Sequence, residues 1–101
     1  MARGVARLND RTIGTCNHPS HPPQVNMGGT IITASDNVTA NNRGVARLND
    51  SVQTDCNHFG EIVTGSDNHT TNGRPTARLN DQVGGDYVAV IITASGDTNV
   101  N

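Results

Sequence analysis

The 101-residue chain predicts a small all-β fold in which three repeats of short strands and turns surround one pseudo-threefold axis. Three observations carry that prediction: β-branched residues dominate the apolar set, helix formers are scarce, and one string recurs three times. Ten Val, six Ile and 12 Thr favour a pleated surface, where branched side chains lose less freedom than in a helix. Three Leu, one Glu and no Lys are too few to write amphipathic helical stripes, whereas 13 Asn and 11 Gly supply turns.

The string R-G-V-A-R-L-N-D fills residues 3–10, returns unchanged at 43–50 and returns as R-P-T-A-R-L-N-D at 74–81. Within it, V-A-R-L predicts a short strand with Ala and Leu on one face, and Asn-Asp a turn. A second strand is expected over I-I-T-A-S at 31–35, I-V-T-G-S at 62–66 and I-I-T-A-S at 91–95. Asp36-Asn37, Asp67-Asn68 and Gly96-Asp97 end these strands. A third extended piece, residues 38–42 or 69–73, leads into the next Arg, and the last unit stops before completing it. The repeats span residues 3–42, 43–73 and 74–101 of a single domain, 1–101. Units so few and unequal do not make a long solenoid, so closure around an axis is expected.

Only 33% of the residues are apolar and 2% aromatic, which leaves a thin core and calls for a metal, a disulfide or a partner subunit. Seven Arg against nine acids give a net charge of −2, which speaks against a nucleic-acid partner. No small-molecule substrate is expected. The start, Met1-Ala2-Arg3-Gly4, has no apolar stretch behind it, and the longest apolar run, residues 87–92, is too short to span a bilayer. Cytoplasmic synthesis is therefore expected, with Cys16 and Cys56 starting as thiols.

Cys16-Asn17-His18 and Cys56-Asn57-His58 stand at the same offset from the preceding repeat Asp. In an extended strand i and i+2 share a face, so each C-N-H offers a thiolate and an imidazole together. Two such pairs near one axis make a Cys2His2 set, Cys16, His18, Cys56 and His58, suited to tetrahedral Zn²⁺. In the third unit Tyr87 and Ala89 take these positions, so that arm is expected to pack against the site without ligating. His21, carried by a Pro-rich loop peculiar to the first unit, is the alternative ligand, and His69 a weaker one. A Cys16–Cys56 disulfide is the further alternative. Four protein ligands leave no open position for water, which indicates a structural metal.

Other signals are weaker. Asn37-Val38-Thr39 and Asn68-His69-Thr70 match a glycosylation acceptor but read as repeat turns. Ser20 beside His21 lacks an orienting acid, so no catalytic serine is indicated. Gly28-Gly29 and Gly84-Gly85 read as turns. The arginines of R-x-x-A-R can pair with repeat aspartates or with acidic strand ends of a partner, but at least half of them are expected simply to stay solvated.

R-G-V-A-R-L-N-D and R-P-T-A-R-L-N-D, the latter preceded by T-G-S-D-N-H-T-T-N-G at 64–73, resemble the P-A-A-R-x-G-D element of PAAR-repeat proteins and its G-S-x-x-V-x-x-N-G lead-in. The resemblance covers essentially the whole chain in three registers. It implies a small cone of β-structure on the trimeric spike of a contractile injection machine, either a phage tail baseplate or a type VI secretion system. It also implies a metal, commonly zinc, held near the vertex by His and Cys; carried over, this points to Cys16, His18, Cys56 and His58, with iron the other candidate metal. The family's final Gly-Asp is Asn-Asp here in all three units, and its ligand sets are often richer in His, which keeps His21 open. A chain this short, without an appended domain, resembles a phage tail tip more than a secretion-system tip.

The expectation is a non-enzymatic, zinc-stabilised tip that caps a homotrimeric β-helical spike, whose three exposed strand edges it covers by strand addition. It would form the membrane-piercing end, be assembled in the host cytoplasm, reside in the virion and touch the host envelope transiently. The alternatives are a type VI tip, a receptor-binding or adhesin-like module suggested by the Thr- and Asn-rich surface, a small repeat protein with another binding face, and a small metallohydrolase.

Overall fold

The computed structural model describes residues 3–100; residues 1, 2 and 101 of the expected span lie outside the described residues. Among the described residues the chain is all-β, without helix. Six antiparallel strands close a barrel in the order β10 (Gln82–Gly85), β11 (Tyr87–Ile91), β2 (Arg11–Cys16), β3 (Gln24–Ile31), β6 (Ser51–Thr54) and β7 (Phe59–Ile62). Alternation along the strands decides what faces in. In β11 Tyr87, Ala89 and Ile91 are buried while Val88 and Val90 are exposed, and Val52, Ile62, Val83 and Ile31 complete the core.

A barrel this narrow has room for one large side chain, and Tyr87 takes it. Its ring lies against Gly29, where a Cβ would come within 2.8 Å of the ring and 2.7 Å of Thr12 Oγ1. Gly28 and Gly29 thus lie within β3, and Gly84 and Gly85 within β10, rather than in turns. At Gly28, Gly29 and Gly84 facing side chains leave little space for a Cβ, whereas Gly85, with open space around it, is required by its φ of +100°.

One end of the barrel is closed by the V-A-R segments. Ala6 N–H donates to Ala77 C=O, Ala77 N–H to Ala46 C=O and Ala46 N–H to Ala6 C=O, a cycle of three bonds around one axis. All three alanines are fully buried, since only a small side chain fits where three segments meet. V-A-R-L therefore does not run as a ladder strand: each segment makes single bridges to both others, Val5 to Arg78, Arg7 to Val45 and Arg47 to Thr76. The Leu of each lies half-buried in the following turn.

Charge closes the same ring. Arg7, Arg47 and Arg78 grip Asp10, Asp50 and Asp81 of their own unit, while Arg43, Arg74 and Arg3 reach the aspartate of another unit, Asp10, Asp50 and Asp81 in turn. Thr93, Thr33 and Thr64 donate to those same carboxylates. That use of the Thr side chains explains why I-I-T-A-S leaves the sheet after its first Ile.

Outside this ring stand three small antiparallel pairs: β4 (Thr39–Ala40) with β5 (Arg43–Gly44), β8 (Thr70–Thr71) with β9 (Arg74–Pro75), and β1 (Arg3–Gly4) with β12 (Asn99–Val100). Asn41-Asn42 and Asn72-Gly73 connect the first two with positive φ at both central positions, the signature of a type I′ hairpin. The third pair joins the two ends of the chain.

Candidate metal centre

The opposite end of the barrel carries the thiols. Cys16 ends β2, fully buried beside Tyr87, with which it is paired in register. Cys56 and His58 lie on the turn between β6 and β7, not on an extended strand. Asn57 there has a φ of +67°, so the chain reverses and both side chains still face one point. Thr54 builds this turn: its N–H donates to His58 C=O (2.8 Å), and its hydroxyl oxygen accepts from His58 N–H (2.8 Å).

In the first arm the chain leaves β2 and turns over 18–21, where His21 N–H donates to His18 C=O. This turn delivers His21, and not His18, to the thiols. The four side chains brought together are Cys16, His21, Cys56 and His58. From Cys16 Sγ the separations are 3.5 Å to His21 Nε2, 3.4 Å to His58 Nδ1 and 3.5 Å to Cys56 Sγ. Cys56 Sγ lies 4.0 Å from His21 Nε2 and 3.4 Å from His58 Nδ1, and the two ring nitrogens are 3.3 Å apart.

These six separations are the edges of a tetrahedron. Their mean is about 3.5 Å, which puts the centre about 2.2 Å from each corner, between the usual Zn–N of about 2.0–2.1 Å and Zn–S of about 2.3 Å. The donor set thus fits a tetrahedral metal. The two thiols are free, and 3.5 Å between sulfurs is well beyond the roughly 2.05 Å of a disulfide.

The expected ligand His18 lies outside the four. Its ring stacks on His58, centroids 3.9 Å apart and planes 2° from parallel, and its Nδ1 is 2.8 Å from Ser20 Oγ. His69 is remote, exposed beyond the alanine ring with its Nδ1 2.7 Å from Thr76 Oγ1. Tyr87 packs inside the barrel, donating its hydroxyl to Met27 C=O.

Electrostatics prepares the two sulfurs differently. The Thr54 hydroxyl, 3.1 Å from Cys56 Sγ, is the foremost of the contacts that hold this thiol down at about 6 against partial burial, with help from Cys16. Cys56 is therefore largely a thiolate at neutral pH. Burial pushes Cys16 up, offset in part by the His18 N–H. His21 donates Nδ1–H to Pro22 C=O (2.7 Å), which raises its basicity and leaves Nε2 free to face the sulfurs.

The extra turn of the first arm, with its second His before Pro22-Pro23, is the sequence signal for this set. A His preceding Pro is held extended, away from the helical region. Thr54 and Ser20 carried no such signal.

The family model described as PAAR motif matches residues 21–86, a span that includes His21, Cys56 and His58 and two of the three R-L-N-D strings. No curated protein matches the chain.

Proposed function

The chain belongs to the PAAR-motif family of spike-tip proteins of contractile injection systems, a structural family, and on that premise we propose that residues 1–101 act as one domain, a zinc-stabilised tip. The tip seats on a homotrimeric β-helical spike, one chain per trimer, and forms the end that pierces the host envelope. The observation that carries this reading is the alanine cycle with its ring of aspartates, each held by arginines of two units. One chain so arranged offers a threefold partner three near-equivalent faces.

Cys16, His21, Cys56 and His58 hold the zinc, which when bound ties the first arm to the second. Apparent binding energies of such structural sites run about 10–16 kcal/mol, enough to support a core with little apolar area. Four protein ligands leave no position for a reacting water, in keeping with a structural role. The third arm joins through backbone, Asn17 N–H donating to Asp86 C=O.

We place the protein in a phage tail baseplate, and hence in the virion. Mixing the purified protein with candidate baseplate spike trimers tests the reading by native mass and elemental analysis. One tip and one zinc per trimer are expected; no association, or three tips per trimer, would contradict it.

A further inference from the structure

His58 differs from the other imidazole of the cluster in how it is held. His21 has a carbonyl behind it, which can only accept, so its Nδ1 must carry the proton and its Nε2 must face the sulfurs. Behind His58 lies a hydroxyl, which by itself fixes nothing, because it can donate or accept. His58 Nε2 is 3.3 Å from Ser20 Oγ, and Ser20 Oγ is 2.8 Å from His18 Nδ1.

The direction of this chain is set at its far end. Ser20 N–H donates to His18 Nδ1 at 3.1 Å, and a backbone N–H cannot accept. His18 Nδ1 is therefore the unprotonated nitrogen of its ring. The Ser20 hydroxyl, facing an acceptor, turns its proton toward His18, and its lone pairs are left for His58. His58 Nε2 must then donate, and Nδ1 presents a lone pair toward Cys16 and Cys56, 3.4 Å from each sulfur. The stack of His18 on His58 fixes the ring plane as well.

We propose that Ser20 and His18 are positioning residues for His58, a one-way hydrogen-bond relay that keeps its proton on Nε2 and its Nδ1 lone pair aimed at the metal position. The proposal rests on the metal centre described above, but it concerns the protein's own protons and is set before any metal arrives. Groups hydrogen-bonded to the far nitrogen of a ligating imidazole orient its ring and are worth about 10–100-fold in metal affinity.

The test has two readouts on the full chain. Long-range ¹H–¹⁵N NMR of zinc-free protein should find His58 as the Nε2–H tautomer in wild type and a mixture in Ser20→Ala. Competition with a chromophoric chelator should find zinc held about 10–100-fold more weakly in Ser20→Ala and His18→Phe, and near wild-type affinity in Ser20→Thr, which restores the hydroxyl. Unchanged tautomer and unchanged affinity in Ser20→Ala would overturn the relay. So would Ser20→Thr binding as weakly as Ser20→Ala. Wild-type protein that takes up no zinc would instead overturn the metal centre, while the tautomer of zinc-free His58 still tests the relay by itself.

Discussion

Asp10 is 2% exposed, yet its carboxylate accepts from Arg7 N–H, Nε and Nη2, from Arg43 Nη2 and from Thr93 Oγ1. Burial pushes its pKa up, but hydrogen bonds from the Arg7 side chain, Thr93 and the Arg7 backbone outweigh that and leave it below the ordinary 3.8. A carboxyl whose folded value is depressed adds stability that is fully present above the unfolded value and is lost as pH falls through the folded one. Urea unfolding from pH 7 to pH 2 should therefore show wild type losing stability below about pH 4, with a smaller acid loss in Asp10→Asn. That variant should be less stable at pH 7 by about 3 kcal/mol, since it leaves two guanidinium groups without their partner. An acid slope identical in both proteins would contradict this. The residue scale was partly legible: R-x-x-A-R and R-L-N-D stood out by recurrence, but whether the arginines met their own aspartates or a partner's did not. The departure of Asn-Asp from Gly-Asp resolves here too. Asn9, Asn49 and Asn80 have φ of 71°, 72° and 70°, a left-handed position that Gly enters freely and that Asn tolerates best among other residues.

At the scale of elements, periodicity of two is an unreliable guide to this chain. The C-N-H stretches were expected to be extended, and alternation was expected to pair Cys16 with His18 as it pairs Cys56 with His58. The second pair converges through a left-handed Asn57, and in the first arm the turn at 18–21 substitutes His21. Both depend on turn geometry that spacing alone does not encode. The barrel strands β2, β6 and β10 were equally hard to see, because each is short and mixes one or two apolar residues with Gly, Thr, Ser or Gln. Packing supplies much of the reason: a Cβ at Gly14 would meet Val88 and Ala89 of β11, one at Gly84 would meet Val63, and Thr12 bonds the Tyr87 hydroxyl in the lumen. Gly29→Ala places a methyl group 2.8 Å from the Tyr87 ring, an overpacking that should cost about 1–3 kcal/mol. By calorimetry the melting temperature should fall by about 4–8 °C for each kcal/mol lost. An unchanged melting temperature would mean the ring moves aside at no cost and that the barrel is not filled as described.

As a whole, the molecule measures 37 × 26 × 22 Å and is held at its two ends by different physics. Triplication was the part of the fold most legible in the sequence, and it governs one end, where backbone bonds among Ala6, Ala46 and Ala77 and the Arg–Asp ring cycle through all three units. The other end breaks that symmetry, with ligands on two arms and Tyr87 in the third. Zinc pinning this asymmetric end, on a base that is stable without it, is the central claim. Amide hydrogen exchange of the zinc-loaded protein before and after chelation tests it most directly. The amides of Asn17, His21, Thr54 and Asn57, whose hydrogen bonds frame the metal centre, should exchange faster once zinc is removed, while those of Ala6, Ala46 and Ala77 stay protected. Tip amides indifferent to zinc, or base amides that lose protection together with them, would contradict the account.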